Sequence, residues 1–306
     1  MEISAKILAD SVSAIDDTRI TSLELHYHRY VLPEFNTHRA FSRNGASSRA
    51  IPTEKLVANC LREMVEPLEW GLDQSGMQAF THADDQLEAE GRRIWNEARS
   101  DAIRHALKLH SLGFAKQIVN RVIEPFLSTR TVLTATDWAN WEGLRNHKDA
   151  QPEIRDLAQA VIEARLHSTP KVLNLYDWHT PYILDEDNMR LRTCETDWAA
   201  EGLSAVGIGH NSRSAYFDTT LDAVKCIVSA ARCARVSYRT HEGKPTDFKE
   251  DGKLFNRLAI SAPVHASPTE HQATPSEQSG KHLMTRNFRS WVQFRALVAD
   301  DTIWDR

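Results

Sequence analysis

The sequence predicts an α+β fold, a mixed sheet flanked by long helices, and three observations carry that prediction. Two stretches near the start alternate like strands, a succession of later stretches has helical period, and 41% of the 306 residues are hydrophobic, enough to cover a sheet. The length is long for one domain and short for three. Residues 1–306 are read as a single domain, with 172–217 as an irregular insertion or lid.

Each element has its own signal. Residues 2–9 and 20–30 read as strands. In the second, Leu23, Leu25 and Tyr27 alternate with Ser22, Glu24, His26 and His28, the period of two that one buried face imposes. Thr53 is the expected N-cap of a helix reaching Met64, after which residues 70–82, with Gly71 and Gly76, are irregular. Leu87, Ile94, Ala98, Ala102 and Leu107 recur at helical spacing and predict a long helix over 84–110, with Gly113 to end it. Residues 116–124, 138–144, 150–166 and 221–236 are also expected to be helical; Thr169-Pro170 closes the third of these. Between Val172 and Phe217, the residues Tyr176, Trp178, Tyr182 and Trp198 are scattered without period, and a lid, an insertion and an oligomer contact all fit. Residues 267–281 read as a loop and 287–298 as a short closing helix, with Trp291 and Phe294 as packing residues.

A formal charge of −5 argues against broad nucleic-acid binding, which needs a net basic face, but leaves room for a local cationic pocket. Cys60, Cys194, Cys226 and Cys233 form no Cys-x-x-Cys pair, so free thiols in a reducing compartment are expected. The start, Met-Glu-Ile-Ser-Ala-Lys, lacks the basic region and apolar run of a signal peptide. No run of about eighteen apolar residues occurs, so a soluble cytoplasmic protein is expected. His26-Tyr-His28 has metal-like spacing without a supporting ligand set, so surface histidines and no metal are expected; Gly207-Ile-Gly209 reads as a turn.

Thr37 to Pro52 reads Thr-His-Arg-Ala-Phe-Ser-Arg-Asn-Gly-Ala-Ser-Ser-Arg-Ala-Ile-Pro. With almost no aliphatic filler, it is not expected to form a core strand or helix. His38, Arg39 and Arg49 supply positive charge, and Ser42, Asn44, Ser47 and Ser48 supply neutral donors. That inventory suits a nucleotide phosphate, with Ser47-Ser48-Arg49 combining hydroxyls and a guanidinium. A solvated polar loop has the same composition, so the segment alone leaves both readings open. Further on come Arg121-Val-Ile-Glu-Pro, Asn140-Trp-Glu-Gly-Leu-Arg145 and Ala150-Gln-Pro-Glu-Ile154, then Ala234-Arg-Val-Ser-Tyr238 and His265-Ala-Ser-Pro-Thr-Glu-His271.

Together these segments resemble the flavin-dependent thymidylate synthases, whose signature reads His-Arg-x-x-Ser-x-Asn-x-x-Ser-x-Arg. In that family the last two segments precede the arginine signature; here they follow it, so the chain resembles a circularly permuted, phage-type member. The resemblance implies one-carbon transfer from methylenetetrahydrofolate to C5 of dUMP, giving dTMP, with FAD as hydride carrier and NADPH as reductant. It also implies a homotetramer whose subunits share sites. By matched positions, His38, Arg39, Asn140, Ser237, Ser267 and Glu270 are implied at the flavin, and Ser47, Ser48, Arg49, Arg121 and Arg145 at the nucleotide. Arg145 is implied to stabilise negative charge on the uracil, and His265 to stand beside flavin and folate.

The chain departs from the family at several of these positions. Thr37 stands where the family has Arg, Gly45 where it has Glu, Asp149 where it has His, and Ser48 and Ala50 where it has Gly and Tyr. Thr134-Ala-Thr136 replaces an Asn-x-Arg, for which Asn287 and Arg289 are candidate substitutes from the other end. A hydroxymethylase acting on dUMP or dCMP, and a flavin- or nucleotide-binding protein without turnover, are the alternatives.

Overall fold

The computed structural model describes residues 1–206, 216–238, 247–261, 264–277 and 286–298. The Gly207–Gly209 turn and the end of the 267–281 loop fall outside them. In chain order the elements are β1 (Ser4–Ser13), β2 (Arg19–His28), α1 (Leu32–Phe35), β3 (Ser42–Gly45), α2 (Thr53–Glu63), α3 (Asp85–Ser111) and α4 (Lys116–Val119). They continue with β4 (Ser128–Ala135), α5 (Ala139–Arg145), α6 (Pro152–Leu166), β5 (Lys171–Leu173), α7 (Asp185–Thr193) and α8 (Ala200–Ala205). The last are α9 (Thr220–Arg235), α10 (Phe248–Phe255), β6 (Ala273–Pro275) and β7 (Trp291–Gln293).

Five strands form one mixed sheet in the order β3-β4-β2-β1-β5; only the β1–β5 pair is parallel. Alternation decides which face meets which layer. Leu23, Leu25 and Tyr27 of β2 and Leu133 of β4 pack against Trp138, Trp141, Ile154, Leu157 and Val161, the apolar stripe of α5 and α6. The other face carries hydroxyls. Ser42, Thr134 and Ser22 stand in one register row across β3, β4 and β2. The C-terminal half covers that face, its own core built on α9 through Val224, Ile227 and Val228 with Phe255 and Phe294. A third cluster joins α2 and α3 to the 3₁₀ turn Asn120–Phe126.

The long α3 begins at an Asp84 cap, which accepts the Leu87 N–H at 2.8 Å, and Gly113, at φ +84°, takes the left-handed conformation just beyond its end. Trp291 and Phe294 are fully buried packing residues, and all four cysteines are free. No helix among the described residues is long and apolar enough to cross a membrane.

Several expectations need correction. The polar signature contains a strand: Ser42–Gly45 pairs with β4, and the Ser42 hydroxyl finds buried partners in the C-terminal half. Strand β4 gave no alternating signal because both its faces are covered, so Val132 and Thr134 are as buried as Leu133. The closing helix is instead β7 followed by a 3₁₀ turn, Phe294–Leu297, since Trp291–Gln293 pairs with β6. The 172–217 stretch is ordered in its described part. It holds β5, α7 and α8, and Trp178 stacks on Phe217 at 4.8 Å inside the C-terminal core. Thr53 is the first helical residue and Pro52 the cap. His28 is buried against Tyr30 and His26 lies 3.5 Å from Glu63, so neither is a free surface histidine.

Candidate functional site

The signature segment leaves β3 as a turn stapled from three sides. The Ala46 N–H donates to Arg130 O at 2.8 Å and the Ser47 N–H to Ser237 O at 3.0 Å. Buried Asn120 donates through Nδ2 to Ser48 O at 2.7 Å and Ile51 O at 3.1 Å. These bonds fix the backbone on which Ser47, Ser48 and Arg49 are displayed. Together with Arg29, Arg43 and Arg121 they line a pocket of about 320 Å³.

Glu124 organises the charges. Its Oε1 accepts from Ser48 Oγ at 2.5 Å and lies 3.0 Å from Arg29 Nη2, while Arg121 Nη1 reaches both carboxylate oxygens at 3.0 Å. Burial would raise the Glu124 carboxyl; the Ser48 hydrogen bond and the Arg29 and Arg121 guanidiniums outweigh it and hold it below the ordinary carboxylate range. Four guanidiniums against one carboxylate leave a surplus of positive charge, which suits a phosphate ester. A neighbouring lobe of about 430 Å³ shares Arg29 and Arg121 and adds Tyr30, Pro33 and Pro125 as flatter apolar walls.

A second group forms where α5 meets the start of the signature. Arg145 Nε donates to His38 Nε2 at 2.9 Å, and its Nη2 to Thr37 Oγ1 at 3.2 Å. His38 sits edge-on to Trp141, 4.9 Å between ring centres, and beside Phe41. Burial first, then the Arg145 and Arg43 charges, hold its imidazole below the ordinary value, against a hydrogen bond with Asn140 that pulls the other way. His38 is therefore a neutral acceptor for an arginine that it orients. Thr37 is a ligand of that same guanidinium.

The C-terminal half reaches the signature through a third group. Gln293 Nε2 donates to Ser42 Oγ at 3.1 Å, Glu270 O at 2.9 Å and Asn287 Oδ1 at 3.0 Å, and Asn287 Nδ2 donates to Ala40 O at 3.2 Å. Glu270 pairs with Arg295. The Arg289 N–H donates to Thr136 Oγ1 at 2.9 Å, which places residues 287–289 beside the end of β4.

The expected nucleotide residues Ser47, Ser48, Arg49 and Arg121 thus share one pocket, and Arg145 stands with His38 and Asn140 instead. Ser237 is tied to the signature by its backbone carbonyl and Glu270 through Gln293, while Arg39, Ser267 and His265 are exposed and none of them lines the arginine pocket. Sequence reasoning missed Arg29, Arg43, Glu124 and Gln293. Arg43 lies inside the signature and Glu124 inside the Arg121 segment, so both were in view; Arg29 and Gln293 carry no local pattern.

No protein-family model matches the sequence, and no curated protein matches it. Solved structures similar to it include the UMP/dUMP methylase PolB from Streptomyces cacaoi bound with 5-Br UMP, at 16% identity, covering 54% of this chain and 88% of that chain with a TM-score of 0.43. The same methylase bound with 5-Br dUMP gives 14% identity, 54% and 90% coverage, and a TM-score of 0.44.

Proposed function

We propose that this chain is a flavin-dependent thymidylate synthase of permuted order, transferring a one-carbon unit from methylenetetrahydrofolate to C5 of dUMP to give dTMP. The observation that carries the reading is the pocket in which Arg29, Arg43, Arg49 and Arg121 converge with Ser47 and Ser48, on a turn bonded to Ser237 from the far end of the chain. In this reading the pocket grips the 5′-phosphate, with Ser47 donating a hydroxyl and Arg49 a two-pronged guanidinium, while the Ser48 hydroxyl stays on Glu124. Glu124 holds Arg29 and Arg121 in place before the phosphate arrives, so little reorganisation is needed on binding. Arg145, oriented by neutral His38, stabilises negative charge on the uracil as C5 attacks.

The residues matched to the flavin suit it chemically: Asn140 and His38 offer an amide and an imidazole, Ser237 and Ser267 hydroxyls, and Arg39 an exposed cation for a diphosphate. When bound, the flavin supplies the hydride that completes the methyl group, drawn from NADPH. Sites completed between subunits of a homotetramer account for the exposure of Arg39, Ser267 and His265.

A second reading, a hydroxymethylase, is favoured by Thr37 and Gly45. At Gly45 an added Cβ would meet Thr131 Oγ1 at 3.4 Å, an ordinary contact, so the missing carboxylate is not a steric necessity. Mass spectrometry of the product with and without NADPH separates the two. A methylated product dependent on NADPH supports the synthase, and a hydroxymethyl product formed without NADPH replaces it.

A further inference from the structure

A second cavity, of about 470 Å³, lies between the 67–80 segment and the start of α6, separated by Tyr30 from the lobe beside the arginine pocket. Tyr30, Trp95 and Phe80 give it aromatic walls. Trp95 is fixed by donating from Nε1 to Val65 O at 2.9 Å and by meeting Tyr30 edge-on. Tyr30 is backed by the stacked ring of His28, 5.2 Å away. These walls are preset for a flat ring.

The floor is a carboxylate. Glu153 lines the cavity yet is only 2% exposed. Its Oε1 accepts the Leu68 N–H at 2.9 Å. Its Oε2 and the Tyr30 hydroxyl are both buried and face one another, near enough for the carboxylate to hold the phenol protonated but outside good hydrogen-bonding geometry, which leaves Oε2 open to a better-placed donor. Buried acceptors left open are uncommon and costly, and they mark places where a donor is meant to arrive. Around the mouth Arg155 pairs with Glu69, Asp149 lies 3.5 Å from His147, and Lys148 adds a cation to the lining. At its floor the cavity therefore offers an acceptor and aromatic faces, where the other pocket offers several guanidiniums.

We infer that this cavity binds a planar nitrogen heterocycle bearing adjacent ring N–H and exocyclic amino donors, its ring against Tyr30, Trp95 and Phe80 and its donors on Glu153 Oε2. A guanine-type base and a pterin share that donor edge. Phe80 and Met77, strongly exposed on the segment above, supply apolar surface that such a ring covers. The inference stands whether or not the arginine pocket takes a nucleotide.

Titration calorimetry of the full chain tests it, with 2-aminopyrimidin-4-one, guanosine and pterin as probes and uracil, which lacks the amino group, as control. At least one amino-bearing probe is expected to bind at least tenfold more tightly than uracil, and the tighter of guanosine and pterin names the source. Glu153→Gln keeps an acceptor for Leu68 but puts a donor where the free acceptor was, and should weaken that probe at least tenfold with thermal unfolding unchanged. Phe80→Ala, which removes an exposed ring, should also weaken it and decides the matter if the Glu153 variant does not fold. Binding of none of the probes, equal binding of uracil, or unaltered affinity in either folded variant overturns the inference.

Discussion

Under the proposed function Arg49 and Arg145 act on different parts of one substrate, so their substitutions should separate. Arg49→Ala is expected to weaken dUMP binding by about 1.5–3 kcal/mol, the range for one hydrogen bond to a charged group, as read by titration calorimetry. An unchanged dissociation constant would take Arg49 out of the site. Arg145→Ala should lower turnover on the order of 10²–10³-fold while sparing nucleotide affinity, measured as tritium release from 5-tritiated dUMP. Near-normal release would contradict its role. At this scale the signature was readable because Ser47, Ser48 and Arg49 are adjacent in sequence. Arg29 and Glu124 were harder: a single charge carries no pattern until the fold shows that the two pair, at 3.0 Å, on the pocket wall.

Among elements, helices with one wet face declared themselves, and strands covered on both faces did not. The helix α3 forms where the spacing predicts it, but the stripe that predicts it does not face inward: Leu87, Ile94 and Leu107 are exposed, and Ile103 and Ala106 are buried instead. Strand β4 and the short β7 are closed in by the C-terminal half, so the alternation that reveals a strand was lost. Packing between helices is tight at Gly202 on α8, where an added Cβ would lie 2.8 Å from Ile227 Cδ1 and 3.3 Å from the Phe255 ring. Gly202→Ala is therefore expected to destabilise the protein by about 1–3 kcal/mol in a denaturant titration, without altering ligand affinity. An unchanged midpoint would mean that α8 can move away from α9.

The molecule as a whole buries histidines in their neutral form, and that sets its acid sensitivity. Burial carries His28 and His179 down to about 4 and His271 down to about 3. The unfolded chain binds those protons near the ordinary value of about 6.5, which the native state refuses. Stability is thus fully present above that value and falls as the pH drops toward 4, by up to about 1.4 kcal/mol per pH unit for each histidine. Urea midpoints at pH 7.5, 6 and 5 should decline in that order; a flat profile would show that these rings reach solvent. The sandwich of α5 and α6, sheet, and C-terminal half was legible only in outline. Sequence periodicity shows that a face is covered, but it does not show that the covering residues lie more than a hundred positions away.

The hydroxyl row on the sheet has one more consequence. Ser11 Oγ lies 2.9 Å from His179 Nδ1, His179 Nε2 2.8 Å from Ser22 Oγ, Ser22 Oγ 2.5 Å from Thr134 Oγ1, and Thr134 Oγ1 2.9 Å from His271 Nδ1. The far nitrogen, His271 Nε2, is buried with no acceptor, so a hydrogen there would be wasted. It belongs on Nδ1 instead, and each following group must then point the same way, down to a hydrogen on His179 Nδ1 aimed at Ser11. Both rings are thereby locked in the Nδ1–H tautomer that a free histidine side chain disfavours, a polarity imposed by a single empty nitrogen and visible in their ¹⁵N chemical shifts.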